Sequence, residues 1–97
     1  MARFVVLMNW TEQGVKTAKE SPQRAAQARE AWKAEGIEIE SLFWTLGSLD
    51  LVAVISAPDG LDLAAVLLEL AGAGNVRTQT LRAFDEAEFN KVLSKLG

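Results

Sequence analysis

No cysteine occurs in these 97 residues, which removes disulfides, iron–sulfur clusters, thiolate metal sites and cysteine nucleophiles together. Histidine is missing too, and with it go the usual general base near neutral pH, the commonest zinc and haem ligand and the ordinary pH switch. Nor is there an excess of basic charge. Ten Lys and Arg stand against 13 Asp and Glu, scattered along the chain for a net charge of −3. Such a balance leaves no electrostatic footprint for a polyanion, so neither nucleic acid nor membrane is an expected partner. No apolar run approaches the roughly 20 residues of a bilayer span, and Phe4 to Met8 is too short for the apolar region of a signal peptide. The expected compartment is the cytoplasm.

What is present, 49% hydrophobic and 24% charged residues, is the composition of a folded protein. A chain of this length has room for one hydrophobic core, so a single α+β domain over 1–97 is expected. Arg3 to Met8 holds five consecutive apolar residues and reads as a strand buried on both faces. Thr11 is a candidate N-cap for a short helical piece weakened by Gly14. Ser21-Pro22 restarts the helix with serine as cap, and the stretch Pro22 to Glu35 places Ala25, Ala28 and Trp32 on one face, with Gln23, Arg24, Gln27 and Glu30 elsewhere. Gly36 stands where a left-handed terminator belongs.

Ile37 to Leu46 reads as a second strand with one irregularity. Ile37 and Ile39 share one face, Leu42, Trp44 and Leu46 the other, so the apolar phase flips near Glu40-Ser41 and predicts a bulge or a second covered face. A short Gly47-Ser48 turn leads into a third strand, Leu49 to Ala57, with a continuous apolar core. Asp59 caps the next helix, aided by Asp62. That helix has two apolar stripes, one of Leu63, Val66, Leu67 and Leu70 and another of Leu61, Ala64, Ala65 and Leu68, and should be covered on more than one side. Asn75 to Ala83 alternates polar and apolar residues as an edge strand does. Asp85 with Glu88 forms a capping box, and Phe84 with Phe89 a hydrophobic staple, for a last helix from Glu86 to about Lys95.

The order β-α-β-β-α-β with a terminal helix is the ferredoxin-like pattern. Right-handed crossovers then give an antiparallel sheet in the order 4-1-3-2, with both main helices on one face. The first and third strands are nevertheless apolar on both faces. A second copy, sheet against sheet, is the economical cover, so the chain is expected to be its own partner in a homodimer or higher homo-oligomer, as a dimeric α+β barrel.

The segments Asn9-Trp10-Thr11 with Gly14, Ser21-Pro22 with Arg24, Gly47 to Val52 and Asn75 to Phe84 together resemble the GYD family along nearly the whole chain. The resemblance implies a dimeric α+β barrel and assigns no reaction. The tyrosine of the family's name is replaced here by Leu49. More distantly, Gly47 to Asp50 before an apolar strand is similar to the ligand-binding domain of the leucine-responsive, or feast/famine, regulators, whose small effectors bind between subunits. No helix-turn-helix precedes it here, so DNA binding of that type is not implied.

Candidate chemistry gathers at strand ends. Of the three tryptophans, Trp32 reads as core, whereas Trp10 and Trp44 stand where sites gather and either line a ligand or fill space. Asp50 opens an apolar strand and needs partners; it reads first as an acceptor of backbone N–H bonds from the turn and second as a catalytic carboxylate. Arg77 and Arg82 fall on opposite faces of their strand, so only one can grip a ligand carboxylate. Gly72-Ala73-Gly74 reads as a helix terminator rather than a phosphate loop, and neither cofactor nor metal is expected.

Three functions fit these residues. The first is a metabolite-sensing module binding a small molecule through Trp10, Thr11, Trp44, Asp50 and Arg77. The second is a cofactor-independent enzyme of the dimeric α+β barrel type, monooxygenase- or isomerase-like, whose acid–base group would be Asp50, a Lys or an Arg. The third is a structural or assembly role. The first suits Trp and Thr beside an arginine best.

Overall fold

The computed structural model describes all 97 residues. Strand β1 is Ala2–Trp10, followed by the short helix α1, Glu12–Lys16, a 3-10 turn at Ala18–Glu20, and helix α2, Ser21–Lys33. A hairpin of β2, Glu38–Trp44, and β3, Leu51–Ala57, leads to α3, Gly60–Gly72, then β4, Val76–Ala83, and α4, Glu86–Leu93. The four strands are antiparallel in the order β2-β3-β1-β4, the same sheet as 4-1-3-2. No helix is long and apolar enough to cross a membrane.

The flip of apolar phase in the second strand has its cause in the register. Ile39 pairs with Ile55 and Ser41 with Val54, so Glu40 is the extra residue of a bulge. That one insertion turns Leu42 and Trp44 onto the same face as Ile39. Asp59 caps α3 by accepting hydrogen bonds from the N–H groups of Leu61 and Asp62, and the Asp85–Glu88 capping box closes both of its bonds. Gly36 takes a φ of +74°, the left-handed residue expected after α2.

Several boundaries differ from expectation, three of them with a cause or consequence in the site. Ser21 is the first residue of α2 rather than its cap, because its hydroxyl is engaged elsewhere. The hairpin connection is the six residues Thr45–Asp50 rather than a tight Gly47-Ser48 turn, and it is closed by a hydrogen bond from Thr45 N–H to the Asp50 carbonyl at 2.9 Å. Strand β1 runs on through Trp10, whose register partner is Val76.

The core lies between the sheet and the helices. Phe4, Val6 and Met8 of β1, with Leu51, Ala53, Ile55 and Ala57 of β3, meet Trp32 of α2 and Leu63, Val66 and Leu67 of α3, all buried. Burying a side chain such as Ile55 is worth about 1.5 to 3 kcal/mol, and this layer is where the chain's stability resides. On the opposite face Val5, Leu7, Val52 and Val54 are only half-buried, while Phe43 and Leu81 are exposed. The second apolar stripe of α3 is likewise uncovered within one chain: Leu61 is 81% and Leu68 74% exposed. Helix α4 buries none of its residues.

Candidate functional site

All five residues singled out from the sequence lie at one end of the sheet, where β1 and β2 finish and β3 and β4 begin. What holds that end together is a mesh of long-range hydrogen bonds. Thr11 accepts from Gly14 N–H at 3.0 Å as the cap of α1, donates its own hydroxyl proton to the Gly74 carbonyl, and donates its N–H to the Asn75 carbonyl at 3.1 Å. Gly14 is obligatory there, since a Cβ would lie 1.9 Å from the Asn75 carbonyl oxygen. Gln13 ties the same loop by donating to the Ala73 carbonyl and to Asn75 Oδ1, each at 3.0 Å.

Asp50 accepts the backbone N–H of Trp10 at 2.9 Å and the side-chain amide of Asn9 at 3.4 Å. Its donors belong to the end of β1 rather than to the hairpin turn, so the carboxylate locks two strand ends together. Trp44 donates its indole N–H to Ser21 Oγ at 3.0 Å, which explains why that hydroxyl caps nothing. Trp10 packs against the core, and its indole nitrogen is buried without an acceptor. Arg77 is exposed and pairs in register with Asn9, on the open face of the sheet. Arg82 is on the other face, opposite Phe4, with its guanidinium 4.5 Å from the Phe84 ring centre and 3.4 Å from Glu88.

Between the sheet and α2 and α3 is a cavity of about 240 Å³. Fourteen of its 18 lining residues are hydrophobic, among them Met8, Trp32, Ile39, Leu42, Leu67 and Leu70. The polar exceptions are Ser21, Arg24, Gln27 and Asn75. The cavity thus ends beside the meshed strand ends, but none of Trp10, Thr11, Trp44, Asp50 or Arg77 is among its lining; Thr11 instead borders a shallow polar depression with Glu12, Gln13, Lys16, Thr17 and Gly74. Trp32 is both core and cavity wall.

Sequence reasoning placed Arg24 and Gln27 away from the Ala25–Ala28 face. Both reach the cavity, Arg24 because a long side chain leaving the edge of that face can fold back over it. The available signal was the three-residue step from Ser21 to Arg24 to Gln27, which stacks them along one side of α2. An ion pair outside this region shifts the ionisation of both its members. The Glu40 carboxylate is held low by its hydrogen bond from Arg3 at 2.8 Å and by that charge, and Arg3 is raised in return. No cluster of three or more Asp, Glu, His or Cys that could hold a metal ion is present.

The profile of the GYD domain matches residues 4–93. A curated protein from Thermus thermophilus, named "Glutamine synthetase and cystathionine beta-lyase binding protein", is 32% identical over 89 residues, covering 91% of this chain and 94% of that protein. Among solved structures, the crystal structure of MtbAldR superposes with a TM-score of 0.68 at 15% identity. That likeness covers 88% of this chain and about half of the other (52%), and it establishes the shared fold.

Proposed function

The chain belongs to the GYD domain family, and from that premise we propose that it is a homodimeric, small-molecule-binding module of regulatory rather than catalytic character. The observation that carries the reading is the cavity under α2 and α3. It is apolar, concave and bounded by a few polar groups at one end, as small-molecule sites are. Its polar lining supports recognition over proton chemistry, since Ser21, Arg24, Gln27 and Asn75 include no carboxylate and no amine. Trp10, Thr11, Trp44 and Asp50 then act as the frame of the cavity's polar end, and Arg77 belongs to the face offered to a second copy.

The dimer is supported by area. The chain exposes 6543 Å², whereas a compact monomer of 10.5 kDa is expected to expose about 5,400 Å² from the scaling of surface with mass. The radius of gyration, 14.6 Å, is likewise above the roughly 12.5 Å of a compact domain of this length. The surplus of about 1,100 Å² is of the order of one partner's share, about 800 Å², in a stable interface. The open sheet face, with Phe43 and Leu81, and α4, with Phe89 and Leu93, both expose apolar side chains that a second copy would cover.

Native mass spectrometry of gently purified protein tests both parts. A mass of twice 10.5 kDa carrying a stoichiometric small-molecule adduct is expected. A monomer overturns the dimer, and an adduct retained by the cavity-filling Ala28→Phe variant overturns the site.

A second reading is favoured by the Thermus thermophilus relative, whose name describes a protein that binds two enzymes. By that analogy this chain docks on an enzyme such as glutamine synthetase, and the exposed Leu61 and Leu68 stripe of α3 is the surface best suited to it. Isothermal titration against glutamine synthetase from the same organism should show binding that Leu68→Asp abolishes. Binding indifferent to that change removes α3 from the interface.

A further inference from the structure

Arg24 is an unusual residue to find beside an apolar cavity. One of its terminal nitrogens, Nη1, donates to the Thr17 carbonyl and to Thr17 Oγ1, both at 3.1 Å, which fixes the guanidinium in place. The other, Nη2, is buried and makes no hydrogen bond within the chain. The three ion pairs of the chain, Arg3–Glu40, Lys16–Glu12 and Arg82–Glu88, leave Arg24 without a carboxylate partner. A guanidinium cannot shed its proton, so burial does not neutralise it, and a half-buried cation with an unmet donor favours an anion brought from outside.

Its polar neighbours in the cavity wall are donors as well. Ser21 Oγ accepts from Trp44, which leaves its own hydrogen to give. Asn75 Oδ1 accepts from Gln13, which leaves its side-chain N–H groups to give. The rest of the wall is apolar except for Gln27, and no carboxylate faces in to receive an ammonium group. A cavity of about 150 Å³ can take a benzene molecule, so about 240 Å³ has room for a small hydrocarbon group together with its acid function.

We propose that the cavity takes a small apolar monocarboxylic acid, branched or aromatic, rather than an amino acid, with the carboxylate received by the Arg24 guanidinium and flanked by Ser21 and Asn75. This rests on the reading of the cavity as a ligand site and adds the chemical class. The guanidinium, already held by Thr17, loses little freedom on binding, and hydrogen bonds from an ionised donor to a carboxylate are about twice as strong as neutral ones.

Trp32 in the wall makes intrinsic fluorescence a direct reporter. Benzoate and 4-methylpentanoate are titrated against their uncharged amides, benzamide and 4-methylpentanamide, and against leucine. The acids should bind at least about tenfold more tightly than the amides, a step of about 1.4 kcal/mol, with leucine weaker than 4-methylpentanoate. Arg24→Gln should erase the preference for acid over amide while leaving amide binding in place, and Arg24→Lys should keep part of it. Ala28→Phe should abolish binding of acid and amide alike.

Acid and amide binding equally to the wild-type chain overturns the Arg24 anchor while sparing the cavity. Leucine binding as tightly as the acid overturns the stated class. Failure of all five compounds at millimolar concentration overturns the cavity as a site for molecules of this kind. The wild-type acid-to-amide ratio decides the matter even if the Arg24 variants fold poorly.

Discussion

The two faces of one sheet have been built to different standards. Along β3, Leu51, Ala53, Ile55 and Ala57 are buried against helices, while the intervening Val52 and Val54 are also apolar but only half-buried. The difference does not lie in the strand's residues, which suit burial on either side, but in what covers them. One face is completed by the chain's own α2 and α3; the other ends in Phe43 and Leu81, exposed, with an Arg3–Glu40 ion pair toward one edge. A face that is apolar at its centre and charged toward its edge has the anatomy of an interface rather than of a solvent surface.

The sharpest test of that contrast is a pair of neighbours on one strand. Ile55→Ala, on the covered face, should cost about 2 to 5 kcal/mol in urea unfolding at any protein concentration. Val54→Ala should cost less, with a penalty that grows with protein concentration, because stability borrowed from association follows mass action. Equal, concentration-independent losses would mean that the open face has no partner.

Next in size is Asp50→Ala, which strands the Trp10 N–H where the faces meet. A loss of about 1 to 3 kcal/mol is expected, with Asp50→Asn recovering much of it because an acceptor oxygen is restored. A loss equal for both variants would assign the effect to charge rather than to the hydrogen bond. Smaller for the folded chain, yet decisive for assembly, is Phe43→Asp. Its monomer stability should change by no more than about 0.5 kcal/mol, as at exposed sites generally, while light scattering reports the mass of a single chain. A dimer that survives this change breaks the comparison.

The smallest effect concerns the ion pair. Arg3 holds the Glu40 carboxyl below its ordinary 4.5, so the folded state favours the ionised form. Its contribution is present above that ordinary value and disappears as pH falls through the lowered one. The melting temperatures of wild type and Glu40→Gln should therefore differ slightly at neutral pH and converge in acid; a gap that widens in acid would reverse the assignment. The pair is exposed and the effect correspondingly screened.

How far the sequence could be read follows from which interactions are local. The caps at Asp59 and Asp85, the left-handed Gly36 and the phase flip at Glu40-Ser41 are decided within a few residues, and each was visible. The strand order followed from element sequence and handedness. What stayed hidden depends on distant partners. Ser21 reads as a cap until Trp44, 23 residues on, claims its hydroxyl. Arg77 shares a sheet end with Trp44 but not a face, and only the register against Asn9 reveals it. Arg24 reads as lying off the Ala25–Ala28 face because a helical wheel records where a side chain leaves the backbone, not where a long one arrives.

The bond from Thr11 Oγ1 to the Gly74 carbonyl joins positions 63 apart in the chain, and Gly14 admits the Asn75 backbone into the same contact. In kinetic terms such a clasp closes a long loop. The β2–β3 hairpin can form early, whereas β4 must find β1 across most of the chain, so the clasp should be made after the main barrier. Thr11→Ala would then speed unfolding and leave the folding rate nearly untouched, a φ-value near zero; a slowed folding limb would place the clasp in the nucleus instead. On that ordering, the cavity's polar end is finished after the β2–β3 hairpin and comes undone before it.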